Sequence, residues 1–244
     1  MVVAWCFVAL AAGGLIKGAL GVGTPLLTVP MMTLVLPAHE AVVLMAMPVV
    51  VANIWQFAQA ERVDRLVDRF WPTFIMVLGG TFVGVKILAG IDERNLLLVV
   101  GVFVIVFTLL QASPRKLHIP DGWVKPGGVL FGLCSGVIGG LSSMFGPMLI
   151  LYLISVKGIS KNQFVSSISF LYVSAVVPWS VILYVSGIMD NRLLMLSLLA
   201  ILPVALGQLI GNSFRARVSE QRFQKLVLVV LLASGTSLLW RALS

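Results

Sequence analysis

The chain has 244 residues, 59% of them hydrophobic and only 11% charged, with a formal net charge of +8 at pH 7 and a mean hydropathy of +1.07. That balance excludes an ordinary soluble domain, because apolar runs of the roughly 20 residues a bilayer demands leave almost nothing for an extramembrane domain. The positive charge is scattered through short loops with no nucleic-acid motif beside it, so it is read as a topology signal and not as a nucleic-acid surface.

Residues 2–36 form the first apolar run, with no basic residue ahead of it, and read as a first membrane helix instead of a cleavable signal peptide. At about 34 residues this run is too long for one span and too short for two, and it is interrupted by Gly21, Gly23, Thr24 and Pro25. Proline at a first helical position, preceded by a small capping residue, starts a helix. A half-helix that starts near mid-membrane offers free N–H groups and about half a positive charge, an anion-binding arrangement. Lys17, four residues before Gly21, is an ionisable group within the apolar run and a candidate for the permeation path.

The next run, 40–60, carries Asn53, Gln56 and Gln59 at spacing three, so they share one helical face. Residues 61–70, ERVDRLVDRF, place Val63, Val67 and Phe70 on one side and charges elsewhere, as in a short interfacial helix. Spans at 70–89 and 95–112 follow; Gly80 and Gly84 in the first of them are read as a helix-packing pair, and Lys86 near its end as a snorkelling side chain. A connector at 113–126 carries three prolines and most of the local charge. The run 124–157 is the second of about 34 residues, interrupted around Gly139, Gly140, Ser142, Ser143, Gly146 and Pro147. After it, 162–186 holds a polar stripe of Asn162, Ser166, Ser169 and Tyr172, and spans at 193–214 and 223–241 complete the chain, with a further packing pair at Gly207 and Gly211.

The two broken runs are related. At an offset of 122, Gly14, Gly18, Pro25 and Leu27 fall on Gly136, Gly140, Pro147 and Leu149; at 127, Gly80, Gly84, Ala89 and Glu93 fall on Gly207, Gly211, Ala216 and Glu220. The expected fold is therefore an all-α polytopic membrane protein of two structural repeats, 1–112 and 127–244, joined by a cytoplasmic connector at 113–126. Paired Gly/Pro interruptions in two hydrophobic halves point to a transporter's binding site. If each broken run returns to the side it entered from, each repeat contains one re-entrant pair plus three spanning helices, and the odd number of crossings inverts the second repeat. This arrangement puts twelve of the 17 basic residues inside, three outside and two within the membrane, whereas eight simple spans would divide them eight to seven.

All nine acids fall in loops or at helix ends, and His39 and His118 lie in connectors. That leaves no mid-membrane carboxylate for a proton or sodium relay and no nucleophile–base pair or metal cluster for an intramembrane enzyme. Cys6 and Cys134 lack any metal-ligand spacing and read as packing residues.

The glycine-rich broken segments at the heads of equivalent halves, 14–30 and 136–152, together with the duplication and the length, resemble the sulfite exporter TauE/SafE family of anion permeases. The first half carries MAMP at 45–48 where small hydroxyl residues often follow the break in that family; the second keeps SSIS at 166–169. The resemblance implies transport of sulfite, an organosulfonate or a related small anion across a bacterial or archaeal plasma membrane. The candidate substrate-binding residues are Lys17, Gly21, Gly23, Thr24, Pro25, Asn53, Gln56, Gly139, Gly140, Ser142, Ser143, Gly146, Pro147, Ser166, Ser169 and Tyr172. The expected partners are a small anion and the lipid bilayer, with no cofactor, metal or nucleic acid and an oligomeric state left open. A membrane scaffold subunit using the same glycines for packing is the alternative.

Overall fold

A computed structural model describes residues 1–20, 23–60, 66–112, 118–215 and 220–243. Gly21 and parts of the surface segment 61–70 and of the connector 113–126 lie outside these residues, as do the side chains of Lys161 and Asn162 and those of 214–227. Twelve α-helices are described: α1 (Val2–Leu20), α2 (Thr24–Met32), α3 (Ala38–Val43), α4 (Ala46–Gln59), α5 (Leu66–Gly90), α6 (Glu93–Ala112), α7 (Val124–Ser142), α8 (Gly146–Ser155), α9 (Lys161–Val185), α10 (Asn191–Leu199), α11 (Ile201–Arg215) and α12 (Glu220–Leu243). A single 3-10 turn, Asp121–Trp123, leads into α7.

Seven stretches among the described residues are long and apolar enough to cross a membrane, while α8 is a shorter apolar helix of 10 residues. The surface is apolar: Trp55, Leu199, Leu202 and Leu209 are all exposed, whereas Thr24, Asn53, Ser135 and Ser169 are buried. This reverses the soluble pattern and is what a lipid solvent selects, since polar groups must then find partners inside the protein.

Local chemistry sets the helix boundaries. The Ser160 hydroxyl accepts the Gln163 N–H at 3.2 Å while the Gln163 side chain accepts the Ser160 N–H at 3.0 Å, a reciprocal cap that starts α9. Asp190 accepts the Leu193 N–H at 2.7 Å and so caps α10. Asp92 accepts the Asn95 N–H at 2.9 Å ahead of α6, and that backbone bond holds its carboxyl below its ordinary range. The caps of α9 and α10 contribute about 1 kcal/mol each.

The helices group into two compact units that do not follow the sequence halves. The first takes 1–48, 90–114 and 190–244; the second takes 49–89 and 115–189. In the first unit α2 doubles back along α1: the Thr28 hydroxyl donates to the Ala9 carbonyl at 3.2 Å, and the Trp5 indole N–H to the Met31 carbonyl at 2.8 Å. Against the other side of α1 lies α11, in backbone contact. Gly14 meets the Val204 carbonyl, Gly18 the Gln208 carbonyl, Gly207 the Ala11 carbonyl and Gly211 the Leu15 carbonyl, so a Cβ at any of the four would collide with main chain. The α6–α12 pair uses Gly101 and Gly235 in a looser version of the same contact.

The second unit repeats the design. Its α8 returns along α7, with the Ser135 hydroxyl donating to the Phe145 carbonyl at 2.7 Å near one end and the Tyr152 hydroxyl to the Val124 carbonyl at 2.8 Å near the other. The partner of α7 is α5: Gly136 meets the Val77 carbonyl, Gly140 the Thr81 carbonyl, Gly80 the Leu133 carbonyl and Gly84 the Val137 carbonyl. Close approach of two backbones through small residues is how helices associate where no hydrophobic effect separates lipid from Leu. The glycines read as packing pairs at 80/84 and 207/211 do pack, and each receives the broken helix of the opposite half.

Candidate functional site

In the first unit the interruption ends at Gly23, whose φ of 100° is open to glycine and strained for other residues, and α2 begins immediately with Thr24 and Pro25. The Thr24 hydroxyl is buried without a hydrogen-bond partner in the protein. Lys17 lies on α1 one turn before the interruption and is only 5% exposed, so it points into protein and does not snorkel to lipid. It is the only buried charged side chain among the described residues. Lys86, by contrast, is exposed and lays its ammonium 4.5 Å from the centroid of the Phe82 ring.

The second unit builds a more elaborate break. Here α7 runs on through Gly139 and Gly140 to Ser142, so both glycines are helical; Gly140 lies in the α5 crossing and Gly139 is covered by the Phe145 ring. The interruption falls at Ser143–Phe145, three residues past the last glycine. Ser143 takes a left-handed φ of 64°, and its N–H donates to the Gly139 carbonyl at 2.7 Å. The Ser142 hydroxyl donates to the Ile138 carbonyl at 2.6 Å and that of Ser143 to the Ser142 carbonyl at 2.5 Å. Both hydroxyl protons therefore shape the turn.

At the start of α8, Gly146 and Pro147 are buried and the Tyr172 hydroxyl of α9 rests on Gly146, filling the space a Cβ would need. Tyr172 shares its face of α9 with Ser166 and Ser169, all buried; the hydroxyls of Ser169 and of its neighbour Ser167 have no protein partner. A buried hydroxyl left without a hydrogen bond costs about 1–3 kcal/mol, a cost that a polar ligand removes by supplying the bond. Asn53 is 2% exposed and donates to the Val49 carbonyl at 2.7 Å, whereas Gln56 is half-buried and Gln59 exposed, so the α4 stripe opens toward one end.

Two supports were missed in the sequence. Ser135 holds the Phe145 carbonyl, and the Trp179 indole N–H holds the Gly140 carbonyl at 2.9 Å while its ring meets Phe145 edge-on at 5.7 Å. Ser135 stands four residues before Gly139, a spacing that puts it on the face covered by the returning chain; Trp179 carries no local signal. Among the described residues no group of three His, Cys, Asp or Glu could hold a metal ion.

The sulfite exporter TauE/SafE family model matches residues 5–238, both hairpins included. The chain belongs to the sulfite exporter TauE/SafE family. No curated protein and no solved structure matches it. Family membership and the seven apolar spans make it a multi-pass membrane transporter for a small anion, and not an enzyme. Helix starts within an apolar protein, with no buried carboxylate among the described residues, are chemically suited to that cargo.

Proposed function

We propose that this TauE/SafE protein is a plasma-membrane exporter of a small sulfur-containing anion, sulfite or an organosulfonate, and that the helix starts of α2 and of α8 each offer an anion-binding end within its own unit. The observation that carries the reading is the doubling back of α2 on α1 and of α8 on α7, each short helix carrying proline at its second residue, after left-handed Gly23 in one unit and after the Ser143–Phe145 interruption in the other. Gly23 and Thr24 in one unit, and Gly146 with Ser166, Ser169 and Tyr172 in the other, supply N–H groups and hydroxyls, while Pro25 and Pro147, which have no N–H to give, set the first turn of each helix. Gly139, Gly140, Ser142 and Ser143 hold the second break in shape, and Lys17 adds positive charge beside the first.

Contacts between loops support two inverted repeats, 1–112 and 127–244. Within the first unit Arg192 lies 3.7 Å from Glu40, the Ala38 N–H donates to Glu93 at 3.0 Å, and Arg241 donates to the Thr33 carbonyl. Within the second, Arg69 donates to the Lys157 carbonyl at 3.3 Å. Eight simple spans would put residues 40 and 192, and residues 69 and 157, on opposite membrane faces.

All nine acids of the sequence fall in loops or at helix ends, and none is buried among the described residues, so the anion moves on its own gradient and the membrane potential. An interior-negative potential expels a monovalent anion by about 2.3 kcal/mol per 100 mV, equivalent to a roughly forty-fold outward gradient. Proteoliposomes clamped with potassium and valinomycin test this: sulfite or organosulfonate flux should follow the imposed potential with no pH or sodium gradient present. Flux that ignores potential and requires a proton or sodium gradient overturns uniport, and absence of flux for every small anion overturns the transport assignment.

A further inference from the structure

The second unit contains a cavity that the transport reading does not use. It has a volume of about 290 Å³ and is lined by Arg69, Asp121, Gly122, Val124 and Lys125. It sits at the opposite end of the α7–α8 hairpin from Gly146, beside Val124, whose carbonyl receives the Tyr152 hydroxyl. Both walls are the first residues of membrane spans: the apolar stretches begin at Asp68 and at Asp121, which puts the cavity at headgroup depth. Trp71 and Trp123, within two residues of its lining in sequence, are 46% and 66% exposed, and exposed tryptophans at span ends sit among lipid headgroups.

The charge of its described lining residues is net positive. Arg69 is held in place by donating to the Lys157 carbonyl at 3.3 Å and by lying 5.6 Å from the Phe70 ring centroid. Lys125, on the first turn of α7, is exposed and makes no ion pair among the described residues, and Asp121 is the lone acid among the described lining residues. Two cations, one of them a fixed guanidinium fork, around a cavity of this size match a phosphate group.

We propose that this cavity binds the phosphodiester headgroup of an anionic phospholipid. The guanidinium of Arg69 and the ammonium of Lys125 engage the phosphate oxygens, while the acyl chains lie along the apolar faces of α5 and α7. A free phosphate would present the same oxygens, and the depth of the cavity and the nearby tryptophans favour the lipid.

The test uses the full chain in detergent, with native mass spectrometry of retained lipid and thermal unfolding as readouts. Phosphatidylglycerol, phosphatidylcholine and soluble glycerophosphate are compared on wild type, Lys125→Gln and Lys125→Arg; Lys125 is exposed, so neither substitution disturbs packing. Wild type and Lys125→Arg should retain phosphatidylglycerol and be stabilised by it above phosphatidylcholine, with affinity about five-fold weaker in Lys125→Gln. Glycerophosphate protecting wild type as well as the lipid does, and losing effect in Lys125→Gln, overturns the lipid assignment in favour of a free anion. Equal phosphatidylglycerol retention by all three proteins, or no preference over phosphatidylcholine, overturns the site.

Discussion

The hydroxyl of Tyr172 rests on the Cα of Gly146, where it occupies the space that any larger residue's Cβ would take. A side chain from α9 thus fixes the first residue of α8, and under the proposed function the same hydroxyl borders the anion's path to that helix start. Gly146→Ala should cost about 1–3 kcal/mol of stability and reduce transport. In a Tyr172→Phe background the same substitution should cost less, since the colliding oxygen is gone. A double-mutant cycle on unfolding midpoint and flux reads the coupling, and additive effects would show that the contact has no energetic weight.

Lys17 is buried beside the first break, and the proposed function gives it the role of positive charge there. Lys17→Met should weaken anion binding by about ten-fold, roughly 1.4 kcal/mol, while Lys17→Arg retains part of it. Concentration dependence of flux separates this from a folding defect: apparent affinity falls and protein yield holds. Equal affinity in wild type and Lys17→Met removes Lys17 from the site.

Two adjacent glycines in α5 provide an internal control on packing. Gly80 meets the Leu133 carbonyl across the α7 crossing, whereas nothing lies within 4 Å of a Cβ at Gly79. Gly80→Ala should destabilise by about 1–3 kcal/mol, and Gly79→Ala should be neutral or stabilising by up to about 1 kcal/mol through helix propensity. The equivalent pair in the first unit predicts the same loss for Gly207→Ala. Similar melting of the Gly79 and Gly80 variants would contradict the close crossing.

The Ile119 N–H donates to the Ser155 carbonyl at 2.8 Å, which ties the entry of α7 to the exit of α8. Single cysteines at 118 and 158, in a background without Cys6 and Cys134, should therefore react with an impermeant reagent from the same side of the membrane. Labelling from opposite sides would falsify the re-entrant hairpin.

Hydropathy alone determined that this chain is a helical membrane protein, because the bilayer permits few other solutions to satisfying a backbone in hydrocarbon. The proline after each small-residue run likewise announced α2 and α8, since a proline at a first helical turn is a local signal that needs no tertiary partner. The packing role of Gly80, Gly84, Gly207 and Gly211 was legible from spacing, and so was the single helical face shared by Ser166, Ser169 and Tyr172; that this face is buried came from the structure. Only the tertiary structure decided which glycine pairs meet, and its answer crosses the halves: 14/18 with 207/211, and 136/140 with 80/84. A motif of small residues states that a backbone approaches closely without saying whose. The same limit hid Trp179 behind Gly140 and left Gly139 looking like part of the break, although the chain stays helical there until Ser143 turns it left-handed. Such contacts join residues that local periodicity cannot relate, and they are formed when the helices assemble.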